Sequence, residues 1–224
     1  MVIEENITRL RAEIPGHIKI VAVSKTMPAE IIQEAYNAGH RAFGENKVQE
    51  LTEKHPVLPA DIEWHMIGHL QTNKVKYIVP FISLIHSVDS LKLLFEINKE
   101  AGKLNRRIDC LLQIRIAGEE TKFGMSMADA VALLDSDEFK NLGSIRITGL
   151  MGMATFTDDR IRVRNEFSRL AACFKELKSK FFLHEPSFAE LSMGMSGDYD
   201  IAIETGATIL RIGSLIFGER KKNN

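Results

Sequence analysis

Eight short apolar runs, separated by stretches of helical spacing, constrain this chain more than any other feature. The runs suited to buried strands cover residues 18–24, 41–44, 62–68, 81–87, 108–116, 147–154, 190–193 and 208–213. Amphipathic stretches lie between them, at 29–38, 47–54, 72–77, 90–102, 127–136, 158–179 and 198–204. Punctuation agrees: Pro28 stands at a helix start, Gly39 and Gly102 stand near helix ends, and Asp89 or Ser90, and Ser126, are candidate caps. Strands that alternate with helices run parallel, joined by right-handed crossovers. Eight such units predict an α/β protein, a single (β/α)8 TIM barrel over residues 1–224. Too few residues follow the eighth strand to form a full closing helix. The N-terminal stripe Ile3, Ile7, Leu10 and Ile14 is therefore expected to cover the wall near that strand. An open doubly wound sheet has the same rhythm, but it needs two edges, and none of the runs is polar enough to be one.

Composition narrows the partners. Lys plus Arg number 29 against 30 Asp plus Glu, a net charge of -1, so no global field favours nucleic acid or an anionic membrane. The basic residues Arg160, Arg162 and Arg164, and Lys221 and Lys222, read as solvated helix and tail charge. No apolar run approaches a membrane span, and the acidic start lacks the pattern of a signal peptide. A cytoplasmic location is the resulting expectation. The two cysteines, Cys110 and Cys173, sit in apolar surroundings without metal-ligand spacing and read as buried hydrophobes. The lack of an apolar surplus favours a monomer.

In such a barrel the chemistry lies at the C-terminal ends of the strands. The first strand ends in Ser24, Lys25 and Thr26. A lysine held at the barrel mouth is partly desolvated, which favours the neutral amine that attacks a carbonyl. On this feature alone a snorkelling lysine is the simpler reading. The seventh strand ends in Ser192, Met193, Gly194, Met195, Ser196 and Gly197, and the eighth in Arg211, Ile212, Gly213 and Ser214. Small-residue turns after strands seven and eight are the usual phosphate position of this fold. Gly194, Gly197 and Gly213 would admit an anion to the backbone, and Ser192 and Ser214 would add hydroxyls. Barrel closure sets strand eight beside strand one, so Lys25 should meet Arg211 and the two turns around one ligand. That ligand should carry an aldehyde and a phosphate. Pyridoxal 5′-phosphate meets the description, as does a sugar phosphate in a Schiff-base aldolase.

Longer motifs carry a resemblance. AVSKT (22–26), FGEN (43–46) with Gln49 and Glu50, WHMIGHLQTNK (64–74), HSVD (86–89), KFG (122–124), LSMGMS (191–196) and RIGSLIFG (211–218) occur in this order over nearly the whole chain. Together they resemble the YggS/PROSC family of pyridoxal phosphate homeostasis proteins. The resemblance implies a fold-type III barrel, like the N-terminal domain of alanine racemase, binding pyridoxal 5′-phosphate as a Schiff base. Carried over by motif, Lys25 is the Schiff-base lysine and Asn46 a cofactor contact. Ser192 and Gly194, with Gly213 and Ser214, hold the phosphate, and Arg211 faces the pyridine nitrogen. Lys47 departs from the tyrosine expected after FGEN, so the resemblance carries no ring contact to that position. His65, His69 and His86 fall near strand ends, where hydrogen-bonded structural roles are expected for at least two.

A guanidinium facing the pyridine nitrogen disfavours its protonation, and a neutral pyridine is the weaker electron sink. Racemisation also needs a second acid/base on the opposite face of the substrate, and the chain ends at Asn224 without a second domain to supply one. The expected role is therefore to bind, store and deliver the cofactor, with pyridoxal phosphate-dependent apo-enzymes as recipients. A fold-type III racemase of weak activity is the alternative, and a class I aldolase a third reading.

Overall fold

The computed structural model describes residues 2–118 and 123–219. Lys122 of the KFG motif and the tail residues Lys221 and Lys222 lie outside the described residues. Eight strands form one closed parallel barrel in sequence order: β1 (Lys19–Val23), β2 (Ala42–Glu45), β3 (Glu63–Met66), β4 (Leu84–Val88), β5 (Ile108–Gln113), β6 (Ile145–Met151), β7 (Glu190–Ser192) and β8 (Ile209–Ile212). Closure is made by β1 on β8, with Lys19 opposite Ile209 and Ala22 opposite Ile212. The open sheet is thereby excluded, and the TIM barrel stands.

The described helices are α1 (Val2–Glu13), α2 (Ala29–Asn37), α3 (Val48–Lys54), α4 (Val75–Ile78), α5 (Leu91–Lys103), α6 (Met127–Asp135), α7 (Asp137–Lys140), α8 (Arg160–Phe181), α9 (Tyr199–Glu204) and α10 (Ser214–Phe217). Helix α1 buries Ile3, Ile7 and Leu10. Its Asn6 Nδ2 donates to the carbonyl of Ile216, 3.1 Å away beyond β8, which fixes it over the expected stretch of wall. Of the two candidates Asp89 and Ser90, Ser90 caps α5 by accepting from the N–H of Leu93. Ser126 forms a reciprocal capping box with Asp129 at the start of α6. Gly102 lies within α5, and the left-handed residue that ends the turn is Asn105, at φ 51°. The segment expected to be helical at 72–77 is a 3₁₀ turn over Thr72–Lys74 followed by α4. Cys110 is buried as expected, whereas Cys173 on α8 is half-buried.

Two cores result, as this fold requires. The larger lies between strands and helices and includes Phe43, Trp64, Phe167 and Phe188, all essentially fully buried. Each such side chain contributes on the order of 1.5–3 kcal/mol on removal from water. The smaller core fills the barrel with Val21, Ala42, Leu84, Leu111, Met151 and Ile209. Because successive strand residues face opposite sides, Val21 and Ile209 point inward and so do the positions two further on, Val23 and Arg211. Lys25 is the next position of that series at the C-terminal mouth.

Candidate functional site

The mouth is assembled from the ends of β1, β2, β7 and β8. Gly213 follows β8 directly, and a Cβ there would lie 3.5 Å from both the Cβ and the carbonyl oxygen of Val23. The chain two residues before Lys25 thus runs against the turn after β8. The N–H of Gly213 donates to Ser196 Oγ at 3.3 Å, which ties the β8 turn to the β7 turn. Gly194 adopts φ 89°, and a Cβ there would come within 2.5 Å of the Ala202 Cβ. Only glycine lets that turn lie so close to α9. The turn is further held by Asp198, whose Oδ1 accepts from the N–H of Met195 at 2.6 Å. Asn46 directly follows β2, where Gly68 makes room for it. A Cβ at Gly68 would stand 2.3 Å from the Asn46 carbonyl oxygen.

Arg211 is 4% exposed inside the barrel. Its Nη1 donates to Ser192 Oγ at 2.7 Å and its Nη2 to the carbonyl of Gly152 at 3.0 Å. Burial lowers its pKa to about 10, which leaves it a cation at neutral pH. Ser192 Oγ is also 2.9 Å from His86 Nδ1, and His86 Nε2 is 2.9 Å from His65 Nδ1. His65 Nε2 lies 4.0 Å from Glu63 Oε2, which pairs with Lys19 Nζ at 2.8 Å. A polar file therefore crosses the barrel from the mouth to a cavity of about 380 Å³ at the N-terminal end, lined by Lys19, Glu63, His65, Asp109, Arg146 and Thr148 among others. Burial lowers the pKa of His65 and lowers that of His86 well below the usual histidine range, so both are neutral at pH 7. The neighbouring His65 ring, followed by the Lys19 ammonium, pulls Glu63 down to about 2.

Sequence reasoning brought Lys25, Arg211, Gly194, Gly213 and Ser214 to one end of the barrel, together with Asn46. It assigned Ser192 to phosphate, yet the Ser192 hydroxyl points into the barrel and engages Arg211 and His86. The hydroxyl beside the Gly213 N–H is that of Ser196, whose place in the same LSMGMS motif was the available signal. His69 stands apart from the other two histidines, stacked on Phe123 and 3.4 Å from Asp89. Among the described residues no group of three His, Cys, Asp or Glu side chains is placed to hold a metal ion.

Residues 2–221 match the family model of the alanine racemase N-terminal domain. A pyridoxal phosphate homeostasis protein from Aquifex aeolicus is 43% identical over 204 residues, covering 91% of this chain and 87% of that protein. The chain belongs to the alanine racemase N-terminal domain family, among the pyridoxal phosphate homeostasis proteins. The human pyridoxal phosphate homeostasis protein is 37% identical to this family member over 229 residues, or 97% of this chain and 82% of its own. PipY of Synechococcus elongatus, solved with pyridoxal phosphate bound, superposes with a TM-score of 0.86 at 37% identity, over 96% of this chain and all of that one. Alanine racemase of Clostridium difficile shares the fold alone, with a TM-score of 0.72 at 16% identity, and this chain covers 57% of it.

Proposed function

We propose that this family member binds pyridoxal 5′-phosphate through a Schiff base at Lys25, and holds it as a reserve for apo-enzymes that need it. The observation that carries the reading is the contact of Gly213 with Val23, which brings the amine-bearing end of β1 to the turn after β8. The donor set fits the cofactor: an amine for the aldehyde, a buried cation for the ring end, and two linked turns with Ser196 and Ser214 hydroxyls for the phosphate. When bound, pyridoxal phosphate supplies an electrophilic carbon and a ring that withdraws electrons.

The chain's own residues limit that chemistry. Ser192 and the Gly152 carbonyl hold the guanidinium plane of Arg211 in place. Arginine has donors and no acceptor, so at a ring nitrogen it donates to the lone pair and opposes protonation there. Arg211 would thereby keep a bound ring a poor sink for electrons, which suits storage better than turnover. The turns that carry Gly194 and Gly213 would hold the phosphate, and Asn46 at the end of β2 would contact the cofactor from the neighbouring strand.

The test is reconstitution of the apo-protein with pyridoxal 5′-phosphate, borohydride reduction and mass mapping of the labelled peptide. Label on Lys25, absent in Lys25→Ala, is expected. So are reactivation of a pyridoxal phosphate-dependent apo-enzyme by the loaded protein and negligible racemisation of amino acids. Label on another lysine, or fast racemisation, overturns the proposal.

A further inference from the structure

A second buried cluster lies outside the pocket, behind the strand end that carries Lys25. Glu45 closes β2 and is fully buried. Its Oε1 accepts from Ser24 Oγ at 2.7 Å and from Lys54 Nζ at 2.7 Å. Lys54, the last residue of α3, also donates to the carbonyl oxygen of Ser24 at 3.0 Å and to Glu50 Oε2 at 3.0 Å. Glu50 Oε2 in turn accepts from the N–H of Thr26 at 2.6 Å. These bonds bracket Lys25: the residue before it is held by hydroxyl and carbonyl, the residue after it by its N–H.

The need for such a bracket is visible in the backbone. Thr26 has φ 66°, a left-handed conformation that a β-branched residue rarely adopts. Left alone, this turn would relax, and the direction of the preceding side chain would change with it. The bond from Thr26 to Glu50 holds the strained residue, and Lys54 ties Glu50 to Glu45 and to β1. Burying Glu45 and Lys54 behind a strand end is costly unless they are paired, and here the pairing, extended by the half-buried Glu50, runs to the backbone on each side of one lysine.

We infer that Glu45, Lys54 and Glu50 are positioning residues that aim Lys25 into the pocket and thereby set how readily its amine captures an aldehyde. The inference rests on the Schiff-base reading of Lys25. Glu50, on the outer side of the cluster, is the informative position because its side chain can be changed without leaving a buried charge in the barrel. Two ligands separate aim from pocket: pyridoxal 5′-phosphate, and pyridoxine 5′-phosphate, which has an alcohol in place of the aldehyde.

Both affinities should be measured for the wild type, Glu50→Ala and Glu50→Gln, with thermal unfolding of each apo-protein as the check on folding. Glu50→Ala is expected to weaken pyridoxal 5′-phosphate at least ten-fold and pyridoxine 5′-phosphate less than two-fold. Glu50→Gln, whose amide oxygen can still accept from Thr26, should recover most of the loss. Lys54→Met combined with Glu45→Gln, which removes the two buried charges together and leaves Glu50 without its anchor, should weaken pyridoxal 5′-phosphate more than pyridoxine 5′-phosphate as well. Equal losses for the two ligands, or no loss in Glu50→Ala, would overturn the inference. A wild type that binds neither ligand, or a Lys25→Ala variant that keeps full affinity for the aldehyde, would instead remove the reading beneath it.

Discussion

His65 Nδ1 and His86 Nε2 lie 2.9 Å apart inside the barrel, in a file whose two ends have fixed polarity. Arg211 can only donate, so Ser192 Oγ accepts from it, and the serine proton is then available to His86 Nδ1. His86 must therefore carry its proton on Nε2 and donate it to His65 Nδ1. His65 is left with Nε2–H turned toward the Glu63 carboxylate. The opposite direction would strand the serine proton and set a bare ring nitrogen against an anion.

This polarity predicts one tautomer for both rings. Nitrogen-15 spectra of the imidazoles at pH 7 should report the Nε2–H form for His65 and His86. A signal from an Nδ1–H form in either would break the assignment. Replacing His86 by Phe leaves the buried Ser192 hydroxyl without its acceptor. That should cost about 1–3 kcal/mol of stability, measured by denaturant unfolding.

The geometry of Arg211 predicts that its charge is not enough. Its two terminal nitrogens reach separate acceptors, Ser192 Oγ and the Gly152 carbonyl, from one rigid plane. A lysine has a single nitrogen on a flexible stem and cannot reproduce that fork. Arg211→Lys is expected to remain folded and to bind pyridoxal 5′-phosphate on the order of ten-fold more weakly, a loss of about 1.4 kcal/mol. Undiminished affinity would mean that the guanidinium plane has no part in holding the ring.

Gly68 acts at one remove from the pocket, through the backbone of Asn46. Any side chain there would overlap the Asn46 backbone, since the carbonyl oxygen would be 2.3 Å and the Cα 2.7 Å from the new Cβ. Backbone cannot swing aside as a flexible side chain can. Gly68→Ala should cost roughly 1–3 kcal/mol, as overpacking does, and displace Asn46 from the mouth. Paired melting and cofactor titrations should therefore both move, and an unchanged titration would argue against Asn46 as a contact.

The barrel was legible because both of its layers leave marks in one dimension. Buried strands such as 108–116 are mostly apolar, and helices such as α5 and α6 are capped by Ser90 and Ser126. Helix α7 was not legible, because Ser136 ends one helix and caps the next, so the two read as a single helix and its stop. The mouth could be read from its motifs, since Lys25, Gly194 and Gly213 each follow a strand. The interior file could not. His65, His86 and Ser192 are 21 and 106 residues apart, and the apolar neighbours that surround them look alike whether they face the barrel axis or the helices.

Acid should destabilise the fold through its neutral histidines. His40 is 6% exposed, with Nε2 3.0 Å from the Ala42 carbonyl, and burial followed by the charge of Arg11 lowers its pKa to about 4. The unfolded chain, with a histidine pKa of about 6.5, takes up a proton that the folded chain refuses. Stability from this residue is therefore complete above about pH 6.5 and lost as pH falls toward 4. His65 and His86, also depressed by burial, act in the same direction. Glu45 opposes them: burial raises it to about 7, so between pH 7 and 4.5 the folded state binds the extra proton and gains stability on acidification. Three depressed histidines against the raised carboxyls of Glu45 and Asp198 predict a net loss below pH 6.5. Guanidinium midpoints at pH 7.5, 6 and 5 should fall in that order for the wild type. In His40→Gln the loss by pH 5 should be smaller by about 2 kcal/mol, because the amide can keep the bond to Ala42 but cannot titrate. An identical pH slope in the two proteins would mean that His40 is protonated without cost in the folded barrel.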